Sequence, residues 1–213
     1  MSEDIFGFWA STRINRTDRI HPADAAMLQD YNRGKLDLNA LPGCFMGPLK
    51  QARVVFLDKA PGVSRENSDD PNYQEFLERT RAGNEALPSK EAWPGWWEYW
   101  TSYARRLSEN LTSLQTRLAF LNAAAYHKVA DKEHDKLIAK LPSSKNAMSW
   151  AQEHVIAKAK SRELVTICLR PATWGLTEGV FGSLFVLKSV RKGMAKGEVR
   201  DEAIEAAKKM LIG

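Results

Sequence analysis

Four stretches of the chain are almost wholly apolar and end abruptly in polar residues. Residues 54–57 read Val-Val-Phe-Leu, residues 118–121 Leu-Ala-Phe-Leu, residues 164–169 Leu-Val-Thr-Ile-Cys-Leu and residues 184–187 Leu-Phe-Val-Leu. Short continuous apolar runs of this length are the pattern of strands covered on both faces. Helical patterns lie between them. One spans residues 72–80. A second carries Trp96, Trp97, Trp100, Tyr103, Ala104, Leu107 and Leu111 at helical spacing. A short helix is expected at residues 135–140. Another carries Trp150 and ends near Lys160, with Ser144 or Asn146 as its cap. Residues 198–211 form an amphipathic closing helix.

The segment before Leu41 is polar and irregular, with one helix starting after His21-Pro22, where proline in the first turn and nearby Asp24 suit a helix start. Leu41-Pro42-Gly43 and Gly47-Pro48 punctuate the approach to the first strand. The polar loop from Ser64 to Pro71 is long, as functional loops tend to be. The run at 184–187 is the most polar at its borders and is expected at a sheet edge.

Strands alternating with helices predict an α/β protein. The expectation is a three-layer α/β/α sandwich with a central four-stranded, mainly parallel sheet and right-handed crossovers. One domain spans residues 1–213, with 1–40 as an irregular or helical N-terminal extension and 198–213 as the C-terminal helix.

Composition narrows the class. At 213 residues, the chain can bury a sizeable core as one domain. Its 44% hydrophobic and 27% charged residues are ordinary for a globular protein. No apolar run approaches the roughly 18 residues of a membrane span, and the N-terminus does not read as a secretory signal. Two cysteines, Cys44 and Cys168, give neither a disulfide framework nor a metal-ligand set. A cytoplasmic, monomeric protein without metal or other cofactor is expected. The formal charge of +5 suits a polyanionic partner, but equally suits an ordinary basic protein.

Candidate chemistry gathers where the first two strands end. Ligands of parallel sheets bind beside the carboxyl ends of the strands. There the chain offers Asp58-Lys59-Ala60-Pro61-Gly62 and, after the second strand, Asn122. Asn122 either faces a ligand or caps loop backbone. Asp58 is either a catalytic acid or the partner of Lys59 or Arg53. His127 reads as a general acid, a phosphate contact or a locally bonded ring. The tryptophan-rich helix invites a base-stacking role, but its spacing is that of a core layer.

In this order the motifs resemble those of the uracil-DNA glycosylase superfamily. Its first strand ends in Gly-Gln-Asp-Pro-Tyr or Gly-Glu-Ala-Pro-Gly, and Asp58-Lys59-Ala60-Pro61-Gly62 is similar to the second form over Ala-Pro-Gly. Its second strand ends in a base-reading asparagine, and Phe120-Leu121-Asn122-Ala123 resembles that motif. Uncharacterised bacterial members look more similar still, through Trp96-Trp97, Asn122, Tyr126-His127 and Leu141-Pro142-Ser143-Ser144, with Ala125 where proline would stand. The similarity covers roughly residues 40 to 192.

The resemblance implies a DNA N-glycosylase acting on a flipped uracil-type or deaminated base. Asn122 would read the base. Ala60, Pro61 and Gly62 would line its pocket, and Tyr73 or Phe76 would stack on it. Asp58, Lys59 and His127 would be the catalytic candidates. Lys188, Ser189, Arg191, Lys192 and Arg170 would contact phosphate, with Arg105 and Arg106 as further candidates. The alternative is a superfamily member that binds DNA, a nucleotide or a protein without cleavage. Two departures favour that alternative. Lys59 stands where the motif has glutamate, leaving Asp58 one residue out of register. No histidine follows the fourth strand, and the local likeness of Arg170-Pro171-Ala172 to His-Pro-Ala follows the third. Four cluster-ligating cysteines are also lacking, so no iron–sulfur cluster is expected.

Overall fold

The computed structural model describes residues 4–10, 19–32, 34–62, 67–129, 135–189 and 193–212. The chain opens with α1 (Ile5–Ala10), a 3-10 turn at Pro22–Asp24 leading into α2 (Ala25–Tyr31), and the short strands β1 (Leu36–Asp37) and β2 (Phe45–Met46). There follow β3 (Val54–Asp58), α3 (Pro71–Arg81), α4 (Pro94–Ala104), β4 (Leu118–Asn122), β5 (His127–Lys128) and α5 (Asp135–Ile138). A longer helical rod comprises α6 (Pro142–Ala151), a π turn at Gln152–Ile156 and α7 (Ala157–Lys160). The chain closes with β6 (Val165–Cys168), α8 (Pro171–Trp174), β7 (Gly179–Phe181), β8 (Leu184–Val186) and α9 (Glu198–Ile212).

Proline sets several of the helix starts. Pro71, Pro94, Pro142 and Pro171 each occupy the first turn of their helix, where the missing N–H costs nothing and the fixed φ is already helical. Asp70 adds a side-chain cap to α3 by accepting from the Asn72 amide at 2.8 Å.

The main sheet has six strands in the order β2-β4-β3-β6-β8-β7. Its middle four are parallel, and they are the four apolar runs of the sequence. The two outer strands are antiparallel to their neighbours. A separate two-stranded pair joins β1 to β5. Two expectations are therefore corrected. The sheet is mixed and six-stranded, not four-stranded, and β8 is not an edge: β7 covers its outer side, and Leu184, Phe185 and Val186 are all buried.

Alternation along the strands divides the core. Val55, Leu57, Ala119, Leu121, Cys168 and Val186 face a cluster built with α1, α3 and the α6 rod. Val54, Phe56, Leu118, Phe120, Val165 and Ile167 face a second cluster built with α4 and α9. Burial on both faces explains why these strands carry no polar alternation. The tryptophan-rich helix packs as core, with Trp100 fully buried and Tyr103 nearly so.

The start of α6 is another correction. Neither Ser144 nor Asn146 caps it, since both lie inside the helix. The cap comes from far away in sequence. The fully buried carboxylate of Asp24 accepts from the Ser143 amide at 3.0 Å, and from the Tyr126 hydroxyl at 2.7 Å. A buried carboxylate held by two donors at a helix N-terminus is a stable arrangement. It ties the N-terminal extension to the main body.

Candidate functional site at the carboxyl edge of the sheet

In the parallel pairing of β3 with β4, Asp58 is the register partner of Asn122. Register partners project to the same face of a sheet, so the acid and the amide stand side by side on the α4 side. Two residues down each strand, Phe56 and Phe120 stack with centroids 4.8 Å apart and planes 9° apart. The polar pair thus rests on an aromatic floor. The two strand-end turns are stitched together: the Ala123 amide donates to the Asp58 carbonyl at 3.1 Å, and the Ala124 amide to the Lys59 carbonyl at 2.9 Å.

Both residues are 7% exposed. The carboxylate of Asp58 has three neighbours. Its Oδ1 accepts from the Lys59 amide at 2.8 Å and lies 3.5 Å from Nε of Arg170, and its Oδ2 accepts from the Tyr99 hydroxyl at 3.4 Å. Burial, and then the nearby carboxylate, push the Tyr99 phenol well above its ordinary value, so it stays protonated and donates. The same causes push Tyr103 up to about 12. Trp174, packed in the cluster on the other face of the sheet, braces the strand end, its indole N–H donating to the Asp58 carbonyl at 3.1 Å.

Asn122 is held differently. Its backbone amide donates to the Cys44 carbonyl at 2.6 Å. Its side-chain Oδ1 is buried and has no hydrogen-bond partner among the described residues. Such an acceptor costs about 1–3 kcal/mol unless something donates to it.

His127 sits on β5, beside the Pro-Gly loop, with Nδ1 2.7 Å from the Gly62 carbonyl. A carbonyl only accepts, so Nδ1 carries the proton. Burial holds the imidazole below its usual value, favouring the neutral ring. Lys59 points away from the Asp58 carboxylate and pairs with Asp135. Of the loop residues, Ala60 is half-buried, Pro61 buried and Gly62 exposed. A Cβ at Gly62 would meet nothing within 4 Å among the described residues.

The structure brings Asp58, Asn122 and Arg170 together, with His127 across the Pro-Gly loop. The aromatic candidates are buried in packing of their own. Tyr73 and Phe76 are 1% and 4% exposed, packed against Trp93 and Trp96 in the core, with the Trp96 indole donating to the Tyr73 hydroxyl at 3.0 Å. A base stacking on either ring would first have to displace that packing. Lys188 and Ser189 are exposed at the end of β8, two strands from β3, a lateral separation of about 10 Å. Arg105 and Arg106 are exposed beyond α4. Arg191 and Lys192 lie outside the described residues.

Two site residues escape sequence reasoning: Tyr99 and Trp174. Tyr99 precedes Tyr103 by four residues and so shares its helix face, the one signal that marks it. Trp174 carries none, because its role depends on the crossover that follows β6. Among the described residues, no group of three or more histidine, cysteine or acidic side chains is placed to hold a metal ion, and no helix is long and apolar enough to cross a membrane. Both cysteines are free and buried. Comparison with protein-family models, curated proteins and solved structures finds no match to the chain.

Proposed function

We propose that this α/β chain is a uracil-DNA glycosylase-like protein that takes a flipped uracil-type or deaminated base at the Asp58–Asn122 edge and hydrolyses its N-glycosidic bond. The observation that carries the reading is the in-register pairing of a carboxylate with an amide whose Oδ1 has no partner. A uracil-type base presents an imide N–H beside a carbonyl. Asn122 would accept from the N–H and donate to the oxygen, a pattern that cytosine does not offer. The unpartnered Oδ1 is thus suited to an imide N–H.

The chemistry follows from the neighbours. Water adds to C1′ of the sugar, the C1′–N bond breaks, and the base leaves with the electron pair. The proton released from water balances the charge on the departing base. The sugar becomes positive as the bond stretches, and a nearby carboxylate lowers that barrier. Asp58 would supply that charge or orient the water, while Tyr99 fixes its orientation. A backbone phosphate would be met by Arg170 and, farther along the edge, by Lys188 and Ser189.

One observation favours the second reading, a binder without cleavage. Asp58 already has Arg170 at 3.5 Å, and a carboxylate engaged by a guanidinium has less charge to offer a developing cation. An abasic-site cleavage assay on oligonucleotides carrying uracil, xanthine, hypoxanthine or hydroxymethyluracil, single- and double-stranded, separates the two. Strand breaks dependent on Asn122 and Asp58 support the glycosylase. Intact strands with salt-sensitive DNA binding support the binder. Absence of both refutes the glycosylase and the DNA binder alike.

A further inference from the structure

Between α1, the last turn of α3 and the segment entering β2 lies a cavity of about 10 Å³, with Trp9, Pro42, Cys44, Phe45, Leu77 and Arg81 in its wall. That volume holds one water-sized or monatomic guest and no more.

Two of the wall residues carry donors without partners. Arg81 is 8% exposed and Trp9 1%. The Nε–H of Arg81 and the indole N–H of Trp9 are both buried, and neither has a hydrogen-bond partner among the described residues. The two groups are neighbours, with Cζ of Arg81 6.0 Å from the centre of the Trp9 ring. Another guanidinium nitrogen of Arg81 donates to the Pro42 carbonyl at 3.2 Å. Guanidinium and indole only donate. A water between them would accept from both and still need acceptors for its own hydrogens. A monatomic anion takes both bonds and asks for nothing in return.

Charge points the same way. Arginine stays protonated in proteins, and a buried cation is costly unless an anion neutralises it. Arg81 forms no ion pair among the described residues. The nearby acids do not fill the gap. Glu78 is exposed on α3, and the Asp24 carboxylate is taken up by the Ser143 amide and the Tyr126 hydroxyl. Burial pushes the Cys44 thiol far above its ordinary value, so it is neutral. The carboxyl end of α3 supplies about half a negative charge, which leaves the remainder of the guanidinium charge to a guest.

We infer that this cavity is a halide site, taking chloride between the Nε–H of Arg81 and the indole N–H of Trp9. The anion would pin α1 to the end of α3. The inference is independent of the chemistry at the carboxyl edge.

The test has two arms, both on the full chain. Crystals of the wild type grown with sodium bromide, measured at the bromine absorption edge, are expected to show an anomalous peak between Nε of Arg81 and the indole nitrogen of Trp9. In solution, chloride replaces gluconate at constant ionic strength while the urea midpoint is followed. Chloride is expected to raise the wild-type midpoint along a saturating curve, as ligand linkage requires. Arg81→Met should flatten that curve. Trp9→Phe keeps a ring and loses the N–H, and should move half-saturation to about tenfold higher chloride. The inference is overturned by wild-type crystals with no bromide in the cavity, or by a wild-type chloride response that is absent or no different in Arg81→Met. Should Arg81→Met fail to fold, the crystal arm and Trp9→Phe decide.

Discussion

The two ends of the parallel strands are furnished in opposite ways. At the carboxyl end, polar groups are buried and touch one another: Asp58 meets Arg170, Tyr99 and the Lys59 amide, over stacked Phe56 and Phe120. At the amino end, the buried surface is apolar, and the charged groups stand apart around an open cleft. The first arrangement fixes a few atoms closely, which suits chemistry on one bond. The second leaves room, with charges of both signs at its rim. The comparison teaches that one sheet can place its polar groups beneath the surface at one end and above it at the other.

Breaking the carboxyl end should produce the largest effects. Phe56 is fully buried beneath the polar pair, so Phe56→Ala should cost about 3–5 kcal/mol in denaturant titration and disorder the edge above it. Asp58→Ala comes next. It strands the Tyr99 hydroxyl and the Lys59 amide, each worth about 1–3 kcal/mol when left unsatisfied in the interior. If the chain cleaves bases, this variant should lower the single-turnover rate by about a hundredfold or more.

Asn122→Ala sharpens the contrast. Its Oδ1 already has no partner, so stability should change by less than about 1 kcal/mol, while imide recognition is lost. A large loss of stability would show that Asn122 is a structural cap.

The smallest effect concerns His127. Its folded value lies below the ordinary 6.5 because of burial. As pH falls, the unfolded chain therefore takes up the proton first. Stability from this residue is complete above about pH 6.5 and declines as pH drops through the folded value. His127→Asn keeps a donor for Gly62 without the titration. Its denaturant midpoint should fall less than that of the wild type between about pH 6.5 and pH 5.

Much of this arrangement was legible in the chain. The four central strands announce themselves because burial on both faces removes nearly every polar position. Asp58 and Asn122 could be picked out as the first polar residues beyond two such runs. The outer strands could not. β2 has two residues and β7 three, too short for any period, and each exists only because a partner strand is already in place. The Asp24 cap of α6 was equally hidden, since 119 residues separate the carboxylate from the amide it accepts from. Arg170 was visible as a cation. Its pairing with Asp58 was not, because that depends on β6 lying next to β3.

The brevity of the sheet's margins has a bearing on behaviour in crowded solution. A foreign extended segment laid along either flank would find only two or three residues to hydrogen-bond with, too few to hold it. Growth by strand addition is thereby discouraged, even though Val180 and Phe181 leave some grease on one flank.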